Sequence, residues 1–239
     1  MINKTLPYKL LAGITPCPGG WLLVPARLAG VTVVVEDAVV LRSLLDVVDF
    51  RPKFDAAAIN CPLGFNDLPT TPFRPCDDEA RDIIGWPRRI GVRPIPSRAT
   101  LRATTKAKAR ELEPWLTNDD LRQFRWLRQA EEVFQPFHQR NFFSAHPDLS
   151  YALLNDEQPL STSPFHQDGV IERMNLIRSK LPGVEEIITR TPPPGAGQVH
   201  LVHAAGLLWT ARRAVGRAIS RLPMDPTWDT NGLRMELVR

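Results

Sequence analysis

Two periodicities alternate along this chain, and the places where one gives way to the other set the order of its elements. Short runs with strand character occupy about 9–15, 20–27 and 31–36. The last of them, Val31-Thr32-Val33-Val34-Val35-Glu36, is β-branched almost throughout, which suits a pleated, half-buried surface. Leu41, Leu44, Leu45 and Val48 recur at helical spacing and predict a helix over about 37–48. Asp55-Ala56-Ala57-Ala58-Ile59-Asn60-Cys61-Pro62-Leu63-Gly64-Phe65 is an apolar run stopped by Pro and Gly, so a buried fourth strand is expected at about 54–60, opening into a loop. A fifth strand is expected near 141–145. Between them lies an insertion at about 66–140 that reads as mostly helical, with helices near 77–85, 98–113 and 117–137. In the last, Leu121, Phe124, Leu127, Ala130 and Phe134 form a core-facing stripe.

Beyond the fifth strand, helices are expected near 147–155 and 168–181. Thr191-Pro192-Pro193-Pro194-Gly195-Ala196-Gly197 is a rigid-then-flexible linker into a long helix at about 198–221, which should pack on the sheet. Gly232 to Val238 reads as a terminal strand. No internal repeat or domain boundary interrupts the pattern. The expected architecture is one α/β domain over 1–239, a mixed five-stranded sheet flanked by helices, with the helical insertion between strands 4 and 5.

Composition narrows the class. With 239 residues and 43% hydrophobic content the chain can bury a sizeable core. No apolar stretch approaches the roughly 18–20 residues of a membrane span, and the start of the chain lacks a charged-then-apolar signal pattern. A cytoplasmic protein with no membrane partner is expected. Cys17, Cys61 and Cys76 are odd in number and show no CxxC spacing, so reduced thiols are expected. The net charge is +4 and its cations are mainly arginine. Arg88, Arg89, Arg93 and Arg98 cluster in one loop-like stretch, where planar guanidinium groups could meet nucleic acid or another polyanion. The competing reading is a solvated surface offset by Glu111, Glu113, Asp119 and Asp120.

Six motifs carry the candidate chemistry, several at expected strand ends, where α/β sheets hold their ligands. They are Gly13-Ile14-Thr15-Pro16-Cys17-Pro18-Gly19-Gly20-Trp21, the Asn60-Cys61-Pro62-Leu63-Gly64 strand end, Arg74-Pro75-Cys76-Asp77-Asp78-Glu79-Ala80-Arg81, Phe143-Ser144-Ala145-His146-Pro147-Asp148-Leu149-Ser150-Tyr151, Gly169-Val170-Ile171-Glu172-Arg173 and Val202-His203-Ala204-Ala205. In this order, from about Leu10 onward, the chain resembles the family of predicted RNase H-like nucleases catalogued as domain of unknown function 429. The resemblance implies an RNase H-like fold with four acidic metal-site positions, and those positions fall on Thr15, Asn60, Ser144 and His203. Two Mg²⁺ ions roughly 4 Å apart need anionic oxygen ligands to be held while they activate water. Thr, Asn and Ser are neutral, and His suits borderline metals rather than Mg²⁺. The resemblance therefore implies a degenerate member with neither metal nor cofactor.

The remaining polar groups of these motifs are candidate pocket residues: Cys17, Trp21, Cys61, Asp77, Arg81, His146, Asp148, Glu172, Arg173 and His200. His200 and His203 share a helix face and with Cys17 or Cys61 would make a soft-metal set, although a hydrogen-bonded pocket histidine explains them more simply. His146 either titrates near neutral pH or fixes the turn into the next helix. Asp77 and Arg81 are spaced for an i,i+4 pair. Cys17 beside a histidine base would be a nucleophile. Three functions follow in order of expectation. The first is a non-catalytic binding or regulatory protein for nucleic acid or a protein partner. The second is an enzyme repurposed for a small molecule in the old cleft. The third is a divalent-metal-dependent nuclease using substitute ligands such as Asp55, Asp148 or Glu172.

Overall fold

The computed structural model describes residues 7–239, and the first six residues of the expected 1–239 domain lie outside the described residues. Lys9–Cys17 (β1), Gly20–Ala29 (β2) and Thr32–Val35 (β3) form an antiparallel meander, and Val39–Leu41 (β4) also pairs with β2. Leu44–Val48 (α1) leads to Ala56–Ile59 (β5), which joins β1 in parallel. The insertion follows as Pro75–Ile84 (α2), a 3-10 turn at Arg88–Gly91, Arg98–Leu101 (α3), Lys106–Leu112 (α4), Asn118–Val133 (α5) and a second 3-10 turn at Pro136–Arg140. Phe142–Ser144 (β6) then pairs in parallel with β5, so the sheet runs β3-β2-β1-β5-β6. Pro147–Leu154 (α6), Gln167–Ile177 (α7), Val184–Thr189 (α8) and Gln198–Val215 (α9) come next, and Arg221–Trp228 (β7) with Arg234–Val238 (β8) make a separate two-stranded sheet. The expected α/β fold, with a mixed sheet flanked by helices, is the fold observed.

Strand periodicity builds two cores, one on each face. Leu10, Ala12, Ile14, Trp21 and Leu23 point to the face covered by α1 and α5, where the stripe Leu121, Phe124, Leu127 and Ala130 buries. Leu11, Leu22 and Val24 point to the other face, where Leu201, Val202, Ala205 and Leu208 of α9 pack with α7 and α8. Gly13 belongs to that second face and lets α9 sit directly on β1: a Cβ there would lie 1.9 Å from the Ala204 carbonyl oxygen. Among the described residues, no helix is long and apolar enough to cross a membrane.

Several expected boundaries are corrected. The helix expected at 37–48 begins only at Leu44, because Val39-Val40-Leu41 pair with Trp21 to Leu23, and Ser43 with Asp46 forms a capping box. The helix expected at 98–113 is two helices, since the Thr105 side chain caps a new start at the Lys108 N–H. The helix expected at 117–137 stops at Val133, ahead of Pro136, and the one expected to reach 221 stops at Val215, before Gly216. Helix α8 and strand β7 were not foreseen. β7 carries Pro223 and Pro226, which a strand paired on one side tolerates.

Candidate functional site

The carboxyl ends of β1, β5 and β6 open into a cleft of about 500 Å³. Ile14 pairs with Ile59, and Ile59 with Ser144, so Thr15, Asn60 and Ser144 leave three adjacent strand ends together. The Asn60 N–H donates to the Ile14 carbonyl at 2.9 Å and locks that junction. Thr15 continues the Gly13 face toward α9, which supplies His203 one residue before its Ala204 contact with β1. All four positions therefore line one cleft, together with Trp21, Cys61, Asp77, His146, Asp148 and His200. Cys17, Arg81, Glu172 and Arg173 do not line it.

Each aspartate lining this cleft is held by arginine. Arg74 grips Asp77 side-on, with Nε and Nη2 each 2.8 Å from a carboxylate oxygen, while its Nη1 donates to the Gly64 carbonyl at 2.8 Å. The i,i+4 pair of Asp77 with Arg81 does not form, because Arg74 takes Asp77 at the helix start. Arg81 instead lies 3.9 Å over the Phe73 ring and donates to the carbonyls of Arg89 and Val92. Asp148 bridges two guanidinium groups, Arg173 Nη2 to one oxygen at 3.0 Å and Arg88 Nη2 to the other at 3.1 Å. Burial alone would raise the Asp148 carboxyl, but the cationic Arg173 and Arg88 beside it outweigh that and hold the group below the ordinary carboxylate range. Arg173 is fully buried behind the cleft, with Nη1 donating to Gly169. Glu172 faces outward and bonds the Thr162 hydroxyl.

Burial keeps the three cleft histidines uncharged at neutral pH. It pushes His203 down to about 3, with Asp148 opposing, and lowers His146 and His200 as well. One ring nitrogen is also committed in two of them: His146 Nδ1 accepts the Asp148 N–H at 3.2 Å, and His200 Nδ1 accepts the Gly197 N–H at 2.9 Å. His146 thus fixes the turn into α6, and its far side meets the Gly91 backbone. The Ser144 hydroxyl donates to the Cys61 carbonyl at 2.7 Å. The thiols are free and buried, and burial pushes Cys17 and Cys61 above the ordinary range and Cys76 up to about 12. Cys17 is therefore a packed thiol rather than a thiolate. Among the described residues no three His, Cys, Asp or Glu side chains are grouped to hold a metal ion.

The arginine cluster divides. Arg98 is buried among Asp229, Asp67 and Glu131 at 2.6, 3.0 and 3.3 Å, so this member of the expected polyanion surface is an internal hub. Arg88 holds Asp148, and Arg93 lies 3.5 Å from Asp119 and 3.7 Å from Asp120. Only Arg89 of the four lacks a carboxylate partner among the described residues. Sequence reasoning missed Arg74, Gln123 and Trp126 in the lining. The Arg-x-x-Asp spacing at a helix start was a signal for the first. Gln123 and Trp126 sit three apart beside the core stripe of α5, a face that pattern analysis assigns to solvent.

A sheet whose parallel strand ends and covering helix enclose a ligand-sized, histidine- and arginine-lined cleft defines an α/β protein with its site at the carboxyl edge. The chain belongs to the family described as a protein of unknown function (DUF429), whose model matches residues 13–227. No curated protein and no solved structure matches it.

Proposed function

We propose that this chain is an RNase H-like domain that has lost two-metal nuclease chemistry and uses the old cleft to bind a small molecule. The order β3-β2-β1-β5-β6, an antiparallel meander extended by two parallel strands, supports the fold assignment. The observation that carries the function is charge: among the described residues, the carboxylates lining the cleft are Asp77 and Asp148, and arginine neutralises both. Like unit charges 4 Å apart repel by about 4 kcal/mol at an effective dielectric of 20, and a divalent ion doubles that. A pair of Mg²⁺ ions would meet arginines and neutral side chains where it needs anionic oxygens, so the residues present do not fit it. The cleft volume lies within the range of small-molecule sites, whereas Arg88 and Arg98, two of the four arginines once assigned to a polyanion surface, are paired internally.

The test is metal uptake and cleavage on the purified chain. Calorimetric titration with MnCl₂ should show no saturable two-ion uptake, and labelled single- and double-stranded DNA and RNA should stay intact in Mg²⁺ or Mn²⁺. The combined variant Thr15→Asp, Asn60→Asp, Ser144→Glu, His203→Asp should gain uptake. Two-ion binding by the natural chain, with cleavage abolished by Asp148→Asn, would overturn the proposal.

A further inference from the structure

Asp148 serves two cations. Arg173 alone suffices to neutralise it, being fully buried and 3.0 Å from Oδ1. Arg88 is then a second guanidinium on the same carboxylate, 12% exposed, with a buried Nε that has no hydrogen-bond partner. The other nearby carboxylate, Glu172, is 3.9 Å from Arg173, 37% exposed and bound to Thr162, so water screens it. A buried donor without an acceptor costs roughly 1–3 kcal/mol, and a buried unpaired charge costs more. An anion entering the cleft, which Arg88 lines, offsets that surplus charge. At the mouth, Arg93 is 38% exposed and makes only the long contacts to Asp119 and Asp120, so it can turn to a ligand.

Two aromatic side chains, Trp126 and Phe165, also line the cleft. The Trp126 indole is anchored by its N–H to the Gly20 carbonyl at 3.1 Å, and Phe165, 71% exposed, stands uncovered at the rim. An uncovered ring beside a cleft favours a flat apolar body.

We propose that the ligand is a small aromatic acid, its carboxylate held by Arg88 and Arg93 and its ring laid along Trp126 and Phe165. The guanidinium fork matches a carboxylate in geometry. Arg74 and Arg173 offset Asp77 and Asp148, and Asp119 and Asp120 share the charge of Arg93, so Arg88 is the surplus cation, and one surplus charge matches a monoanion better than a phosphate dianion. This inference rests on the small-molecule reading of the same cleft.

Calorimetry on the full chain with indole-3-carboxylate, indole-3-carboxamide and adenosine monophosphate tests it. The acid should bind about tenfold tighter than the amide, a difference set by one charge-assisted contact. Arg93→Gln and Phe165→Ala, both rim substitutions whose folding is checked by thermal melts, should each weaken the acid about fivefold or more. Equal affinity for acid and amide, no binding of the acid, or affinity unmoved by both variants would overturn the inference. Preference for adenosine monophosphate would overturn the carboxylate assignment and leave the small-molecule reading standing. Manganese uptake with cleavage would remove that reading itself.

Discussion

Replacing Asp148 with Asn keeps the shape of the side chain and removes one negative charge from between Arg88 and Arg173. Both ion pairs are close, at 3.1 and 3.0 Å, and Arg173 is fully buried. Removing one partner of a buried pair costs roughly 3–5 kcal/mol, because the partner left behind is charged and dry. Arg88 is 12% exposed and borders the cleft, so it can swing toward water and recover part of the loss. The expected cost is therefore near the lower end, about 3 kcal/mol. For a chain of this size that lowers the melting temperature by roughly 6–12 °C. Urea unfolding followed by tryptophan fluorescence at pH 7, without divalent ions, measures it. The sign discriminates between two kinds of site. Where acids crowd together to hold metals, they repel one another in the metal-free protein, and an Asn stabilises it. Here the same substitution destabilises. Adding Arg88→Met to Asp148→Asn should restore part of the loss, since one orphaned cation disappears. An Asp148→Asn midpoint equal to or above that of the natural chain would refute the ion-pair account.

Acid should weaken the fold through His203. Its folded pKa, about 3, lies below the ordinary value near 6.5, so between these the unfolded chain binds a proton that the folded chain does not. The contribution is full above about pH 6.5 and falls with pH toward 3, by at most about 1.4 kcal/mol per unit; His203→Gln should flatten the dependence of the urea midpoint on pH, and an unchanged slope would count against the buried neutral imidazole. Gly13→Ala would place a methyl group 1.9 Å from the Ala204 oxygen and 2.4 Å from the Leu208 nitrogen, forcing α9 off β1. The loss should reach or exceed the roughly 1–3 kcal/mol typical of overpacking, and a thermal melt within a degree of the natural chain would show that the helix moves freely.

The sheet was legible because punctuation bounds its strands: Pro62 and Gly64 stop the short apolar run Ala56-Ala57-Ala58-Ile59, Pro and paired Gly divide β1 from β2, and the stripe on α5 has a helical period. The errors fell where local preference was ambiguous. Val39-Val40-Leu41 fits a strand or a helix face, and only the unsatisfied edge of β2 decides for the strand. The family resemblance singled out Thr15, Asn60, Ser144 and His203, and all four line one cleft. Charge pairing was not legible. Arg173 reaches Asp148 over 25 residues and Arg98 reaches Asp229 over 131, and no sequence period encodes such partners. For Arg88 and Arg98, an arginine count consequently suggests a basic surface where the fold makes internal ion pairs.

The same pairing explains why one acid alone would not rebuild a metal site. His203 sits within the field of Asp148 and Arg173, in a cleft where Arg88 keeps a buried, unpartnered Nε. A carboxylate introduced by His203→Asp would find guanidinium groups in place and pair with them, gaining hydrogen bonds that a hydrated Mn²⁺ must displace. Each further acid adds negative charge while the arginines stay fixed in number, so metal affinity should rise steeply only after their surplus is consumed. Manganese titrations of His203→Asp, of pairwise combinations and of the fourfold variant should therefore show uptake in the last and none in the first. Stoichiometric Mn²⁺ binding by His203→Asp alone would mean that Arg88 and Arg173 leave that corner of the cleft without excess positive charge.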